Sequence, residues 1–207
     1  MIRGHRGFVD KYIGDAVMAI FPEAVDDAVK AAIELGSEIK IYNSHRANQG
    51  YKPIEVGIGL HTGSLMLGMV GSEERLEGTV ISDAVNLASR LDGLTKVYGA
   101  SIMMTSQTAE GLHGEYAMRF LGRIRVKGKT DITAVFEVLS ETEQSKMESK
   151  KEFEAGLDCY FDKQFGEAIG FFDRVVRTDP KDLAAAHYRE RAADYMVRGV
   201  PEDWIDA

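Results

Sequence analysis

Residues 8–21 constrain the fold of this chain more than any other stretch, because they have the pattern of two short strands joined by a turn. Residues 8–13 (FVDKYI) and residues 16–21 (AVMAIF) are two short runs rich in β-branched, aromatic and other apolar residues, and the pair Gly14 and Asp15 separates the two runs. Glycine and aspartate are favoured in two-residue hairpin turns. The pattern therefore predicts an antiparallel β-hairpin with an acidic residue at its tip.

The spacing of apolar residues predicts an α+β fold for the first part of the chain. Helical spacing predicts helices over residues 23–44 and 82–99. Period-two alternation predicts a strand over residues 54–62. Further short β runs predict strands over residues 64–70, 101–106, 116–126 and 132–139. Glycines repeat along one face of the 54–62 run, which indicates that another segment approaches that face closely. Since no long apolar parallel strands occur, we expect a largely antiparallel sheet covered by helices.

Composition separates this part from a tail. Residues 140–156 are polar and rich in Glu and Lys, and an Ala- and aromatic-rich helical region follows them. We therefore predict two regions, 1–142 and 143–207, with a linker at the start of the second.

Charge and cysteine content narrow the classes of function. The formal net charge of −8 offers no broad basic surface, which argues against nucleic acid as a partner. The single cysteine, Cys159, cannot form an internal disulfide, and the sequence shows no signal-peptide pattern or apolar run long enough to span a bilayer. We expect a cytoplasmic protein without a membrane span in this chain.

Two polar side chains of the second predicted helix are candidate functional residues. Asn86 and Arg90 are four residues apart, off the apolar stripe, so they project from the same helix face. Taken alone they could be an exposed polar face, just as Lys11 could be a solvated strand residue and Asp15 an ordinary turn residue. The individual residues leave these alternatives open.

Four segments together resemble the catalytic domain of a class III nucleotidyl cyclase, the adenylate/guanylate cyclase family. They are "GFVDKYIGDAVMAIF", "VGIGLHTG", "TVISDAVNLASRL" and "IRVKGKT", in this order. The resemblance implies a ferredoxin-like fold that acts as a homodimer, with active sites at the interface built from both chains. It also implies conversion of ATP to cyclic AMP and pyrophosphate in intracellular signal transduction.

The resemblance assigns metal and purine roles to three residues. Asp15 matches one of two aspartates that hold two divalent cations, Mg²⁺ or Mn²⁺. Such a pair of ions can activate the ribose 3′-hydroxyl and neutralise the charge of the leaving pyrophosphate. Lys11 matches the residue that reads the purine, and Thr79 lies at the position of its partner. This pair is similar to the one that selects adenine, so we expect ATP rather than GTP as substrate.

The resemblance also assigns three residues to the ribose and the phosphates. Asn86 and Arg90 match the residues that orient the ribose and stabilise charge on the α-phosphate. Lys127 matches the residue that binds the terminal phosphates. Stabilisation of this kind requires preset geometry, which two residues on one helix face provide.

Three departures from the family pattern accompany these assignments. The other metal-binding aspartate of the family lies on a first strand upstream of the hairpin, and we expect that strand to precede Met1. Asp10 is not expected to replace it, because strand alternation points Asp10 away from the Lys11 side. Ser82 and Gly78 replace a usual glycine and a common aromatic residue next to Thr79, and both could shift purine selection.

The tail resembles one tetratricopeptide repeat (TPR). Gly156, Ala168, Phe172 and Pro180 fall at the offsets of that repeat, and a third helix is predicted over residues 183–197. One repeat rarely stands alone, so we expect the tail to pack on the first part or on a second subunit. A generic helical hairpin is the alternative, and a protein partner bound through the tail is a further expectation.

Two alternatives to catalysis remain open for the whole chain. One is a catalytically inactive regulator that binds nucleotide or dimerises. The other is a scaffold whose helical tail recruits a protein partner.

Overall fold

The computed structural model describes residues 1–72, 75–81, 83–125, 132–201 and 204, and it describes side chains outside residues 67–82. The strands are β1 (Phe8–Ile13), β2 (Ala16–Ile20), β3 (Ile58–Leu60), β4 (Met66–Ser72), β5 (Arg75–Ile81), β6 (Ile102–Thr105), β7 (Met118–Arg125) and β8 (Ile132–Val138). The helices are α1 (Val25–Asn48), α2 (Asp83–Tyr98), α3 (Ser106–Glu110), α4 (Gln144–Glu148), α5 (Lys150–Phe161), α6 (Phe165–Thr178) and α7 (Leu183–Arg198). None of the described helices is long and apolar enough to cross a membrane.

The predicted hairpin is present. Strands β1 and β2 pair in antiparallel register, with Ile13 opposite Ala16, and Gly14 in the turn has a φ of 63°. Glycine adopts this left-handed conformation without steric cost, which explains the turn. Among the described strands, β1 and β2 form a two-stranded sheet of their own.

A four-stranded sheet in the order β3-β6-β8-β7 forms the centre of the fold. Strand β3 runs parallel to β6, whereas β6 and β7 both run antiparallel to β8. The α+β class is therefore confirmed, and most pairings in this sheet are antiparallel as predicted. The described strands divide into three sheets, however, because β1-β2 and β4-β5 each pair only with each other.

Several predicted boundaries were wrong. The 54–62 run forms a strand only over β3, since β3 pairs with β6 and that strand is itself short. Strand β5 was not predicted because glycine and charged residues interrupt its alternation, and α3 was also missed. The predicted helix over 82–99 corresponds closely to α2.

Glycines allow α2 to lie directly on β3. A Cβ atom placed on Gly59 would be 2.2 Å from the Ala88 carbonyl oxygen and 2.6 Å from the Asp92 backbone nitrogen. A Cβ on Gly57 would be 2.1 Å from the Thr95 hydroxyl. The close approach predicted for this strand is thus made by the helix that carries Asn86 and Arg90.

The helical tail shares one hydrophobic core with the sheet. Leu91 of α2 and Leu121 of β7 belong to the same buried cluster as Phe153, Tyr160 and Tyr188 of the tail, and all five are fully buried. The division at residue 143 stays a prediction from composition, but the two parts pack as one body around this core.

Buried charges also join the sheet to the tail. Arg119 of β7 donates hydrogen bonds to Glu137 of β8 and to Asp182, which caps the N-terminus of α7. Lys146 of α4 donates to the other oxygen of Glu137. The Arg119 guanidinium also lies 4.3 Å from the centre of the Phe153 ring. Charged groups away from water require such partners, so these contacts fix the sheet against α4, α5 and α7.

The polar composition of residues 140–156 concealed this burial. The Lys146 side chain is only 8% exposed. Burial by itself lowers the pKa of Lys146, but the attraction of Glu137 and Glu143 outweighs it, so the pKa of Lys146 is raised. Lys146 therefore stays charged within the core.

Candidate active site

The β1-β2 hairpin carries Lys11 within β1, opposite Met18, and Asp15 at its tip. Asp15 occupies the turn and is exposed, and the Lys11 side chain is 35% exposed. Within the described residues, no hydrogen bond or ion pair joins Asp15 to another side chain. A carboxylate and an ammonium group thus reach solvent near the same end of one hairpin.

A β-bulge in β1 brings Asp10 to the side of Lys11, so the prediction that they face apart was wrong. The register shifts between Val9 and Lys11, and this shift breaks the alternation of side chains at Asp10. Lys11 Nζ lies 3.4 Å from Asp10 Oδ2, an atom that is buried and accepts no hydrogen bond in the described structure. Asp10 therefore contacts a predicted site residue, which strand alternation did not predict, and this contact limits the positions open to the Lys11 ammonium group.

The chemistry of Asp15 fits a divalent cation. The described residues hold no cluster of three His, Cys, Asp or Glu side chains that would enclose a metal ion. Mg²⁺ rarely needs such a cluster, because it usually keeps several waters and binds one or two carboxylates together with substrate phosphates. An exposed carboxylate at a turn can provide one such ligand.

The exposed face of α2 carries Asn86 and Arg90, as predicted. Arg90 Nη1 donates a hydrogen bond of 2.5 Å to the carbonyl oxygen of Arg125, the last residue of β7. This contact ties α2 to the end of β7, where the segment that contains Lys127 begins. Arg90 therefore lies against Arg125, two positions before Lys127 in the sequence.

Of the predicted residues, Thr79 can be placed only in part and Lys127 not at all. Thr79 lies in β5, where its backbone is paired with Gly68, and its side chain is outside the described residues. Lys127 is outside the described residues altogether, as is Ser82. Their predicted roles are untested by this structure.

The predicted site residues form two groups in this chain. One group is Lys11 and Asp15 on the hairpin, and the other is Asn86 and Arg90 on α2. Within the described residues, no hydrogen bond or ion pair connects the groups.

Comparison with known proteins matches the part of the chain that contains the predicted site residues. Residues 8–139 match the family model described as the adenylate and guanylate cyclase catalytic domain. The chain is 34% identical over 197 residues to "Adenylate cyclase, terminal-differentiation specific" of Dictyostelium discoideum, a match that covers 89% of this chain and 9% of that protein. It is 41% identical over 140 residues to an adenylate cyclase of Anabaena cylindrica, covering 64% of this chain and 28% of that protein.

Solved structures give a similar result. The adenylyl cyclase CyaB from P. aeruginosa superposes with a TM-score of 0.56 at 28% identity, covering 67% of this chain and 74% of that one. The guanylyl cyclase Cya2 superposes with a TM-score of 0.55 at 27% identity, covering 69% of this chain and 75% of that one. The chain spans less than a third of the length of the two curated relatives, whose matches cover 9% and 28% of them.

Proposed function

Because this chain belongs to the adenylate and guanylate cyclase catalytic domain family, we propose that it acts as an adenylate cyclase that converts ATP to 3′,5′-cyclic AMP and pyrophosphate. The observation that carries this proposal is the family match over residues 8–139, which contains Lys11, Asp15 and Arg90 in the positions described above. The adenylate cyclases among its relatives support ATP as the substrate.

Lys11 and Thr79 select the purine in this proposal. An ammonium group donates hydrogen bonds and suits the acceptor nitrogens of adenine, and a threonine hydroxyl can accept from the adenine amino group. The ion pair with Asp10 supports this role for Lys11, since it limits the orientations of a flexible side chain. A preset donor position favours one purine over the other.

Asn86, Arg90 and Lys127 act on the ribose and phosphates. Asn86 orients the ribose, so that its 3′-hydroxyl faces the α-phosphate. Arg90 stabilises the negative charge that develops there, and its bond to Arg125 limits the reorganisation needed during reaction. Lys127 binds the terminal phosphates and keeps the leaving pyrophosphate in line.

Asp15 would hold the divalent cation, Mg²⁺ or Mn²⁺. When bound, the cation supplies Lewis-acid activation and charge neutralisation at the phosphates. No hydrogen bond or ion pair among the described residues joins the hairpin group to the α2 group, so we further propose that a homodimer brings Asp15 of one chain to Asn86 and Arg90 of the other.

The test measures cyclic AMP and cyclic GMP made from equal concentrations of ATP and GTP with Mn²⁺. It uses both residues 1–207 and the longest polypeptide that the gene encodes. We expect cyclic AMP to dominate, and Lys11→Glu with Thr79→Cys to shift the ratio of products towards cyclic GMP by about tenfold or more.

Lys30→Glu is the matched control, because Lys30 is exposed on α1 and should leave the ratio unchanged. An unchanged ratio in the double variant would contradict the purine assignment. ATP binding without product in both polypeptides would favour the alternative of a catalytically inactive regulator.

The TPR-like character of the tail and a protein partner for it stay predictions. Helices α5 and α6 do pack closely, since a Cβ on Gly156 would be 2.8 Å from the Phe172 ring and Ala168 is fully buried. These contacts support a helical hairpin of the predicted kind. They agree equally with a generic hairpin that has no partner.

A further inference from the structure

Strand β7 contains a bulge that the tail fills. Phe120 pairs with Phe136 and Gly122 pairs with Val135, so Leu121 lies at the irregular position between them. Gly122 has a φ of 131°, which non-glycine residues rarely adopt. Such a bulge redirects the rest of its strand.

Tyr188 of α7 occupies the space next to this bulge. Its hydroxyl donates a hydrogen bond of 2.6 Å to the Leu121 carbonyl oxygen, and both residues are fully buried. A Cβ atom on Gly122 would be only 2.2 Å from that hydroxyl. Gly122 therefore admits Tyr188, and Tyr188 satisfies a carbonyl oxygen that would otherwise be costly to bury.

The same side chain contacts α2. The rings of Tyr188 and Tyr98, the last residue of α2, are stacked with centroids 6.0 Å apart and planes at 25°. The neighbouring His187 ring meets Tyr98 edge-on at 5.5 Å. Tyr188 thus contacts both elements that the Arg90–Arg125 hydrogen bond connects.

We propose that Tyr188 is a positioning residue for the reaction, which sets the β7 bulge and thereby the geometry of Arg90 against Arg125 at the end of β7. This inference rests on the proposed function, and it gives the tail a role in turnover. Tyr188 lies in the core and acts through Arg90, so it need not contact the substrate.

The experiment compares Tyr188→Phe with Tyr195→Phe in the full chain. The first change removes the hydroxyl bonded to Leu121 and keeps the ring that stacks on Tyr98. The second removes a hydroxyl of the same helix that accepts a hydrogen bond from Arg191, at 2.8 Å. Thermal unfolding checks that both variants fold.

Two measurements test the role in turnover. We expect Tyr188→Phe to lower kcat for cyclic AMP roughly ten- to hundredfold, with less than about a threefold change in KM, because small misplacements of catalytic groups mainly reduce turnover. In an Arg90→Ala background the same change should lower kcat by less than about threefold, since residues that act as a unit are not additive. Tyr195→Phe should leave kcat unchanged. Equal multiplicative losses in both backgrounds would overturn the proposal.

Hydrogen exchange provides a readout that needs no activity. Backbone amides of residues 121–125 should exchange faster in Tyr188→Phe and not in Tyr195→Phe. If Tyr188→Phe does not fold, Tyr98→Leu tests the same link from the α2 side and should lower kcat in the same direction.

The outcomes separate the two proposals. Absence of cyclic AMP formation by both wild-type polypeptides contradicts the proposed function, and the exchange comparison then decides whether Tyr188 fixes β7. Identical exchange over residues 121–125 in both tyrosine variants overturns the positioning role even if the wild type is active.

Discussion

The β1-β2 hairpin and the β7-α2 region carry the two groups of predicted site residues, yet their surroundings differ sharply. On the hairpin, Tyr12 is 74% exposed and Val17 is 50% exposed. Beneath β7 and α2, Leu91, Leu121 and Tyr188 are all fully buried. Asn86 and Arg90 therefore lie on a packed platform, formed by β7 and α2. Lys11 and Asp15 lie on a hairpin several of whose apolar side chains face solvent.

This difference indicates that the two groups of predicted site residues are held in place in different ways. The platform holds Arg90 in place before any substrate binds, which suits the stabilisation of charge on a phosphate. Lys11 has an ion pair with Asp10, but Asp15 is exposed in the turn, so a contact made by another segment or chain would decide the surroundings of Asp15. The proposed homodimer would supply such a contact.

The largest effect is expected for Arg119→Met, which tests whether buried charges anchor the platform to the tail. The change leaves Glu137 and Asp182 in the core without their shared cation, and we expect the free energy of unfolding to fall by about 3–5 kcal/mol. Urea unfolding measures this loss.

The matched control is Arg189→Met. Arg189 pairs with Asp173 at 3.2 Å, but both side chains are 41% exposed. Loss of an exposed pair should cost less than about 1 kcal/mol. Similar losses for the two variants would show that the platform does not depend on its buried charges.

The next effect is expected for Arg90→Ala, which tests the catalytic use of the platform. We expect kcat for cyclic AMP to fall about 10²–10³-fold, because a preset charge-stabilising donor is removed. The free energy of unfolding should change little, since Arg90 is exposed. Lys96→Ala, on an exposed position of the same helix, should leave kcat unchanged. A comparable loss in both variants would indicate damage to α2 rather than loss of a catalytic group.

The smallest effect is expected for Tyr12→Ser, which tests whether the apolar side chains of the β1-β2 hairpin contribute to stability. Since the Tyr12 side chain is largely exposed, its replacement should change the free energy of unfolding by no more than about 0.5 kcal/mol. Urea unfolding at low protein concentration measures this change. A loss above about 1 kcal/mol would mean that the hairpin packs more firmly than its exposure indicates.

Local sequence pattern predicted much of the fold and the placement of some of the predicted site residues on their elements. The Gly14-Asp15 turn and the face shared by Asn86 and Arg90 follow from chemistry within a few residues, so they could be predicted. The contact of Lys11 with Asp10 could not be predicted, because a bulge in β1 breaks the alternation of side chains on which the prediction depended. The contact of Arg90 with Arg125 could not be predicted either, because it joins residues 35 positions apart.

The sequence by itself determined the family, the hairpin, the α2 face and the helices of the tail, because turns and periodic apolar residues are local properties of the chain. Only the tertiary structure decided that Lys146 is buried against Glu137 and that Tyr188 fills the bulge at Gly122. The physical reason is that burial depends on which distant segments meet. A lysine in a polar stretch and a tyrosine in a helix have the same local pattern whether they face water or the core.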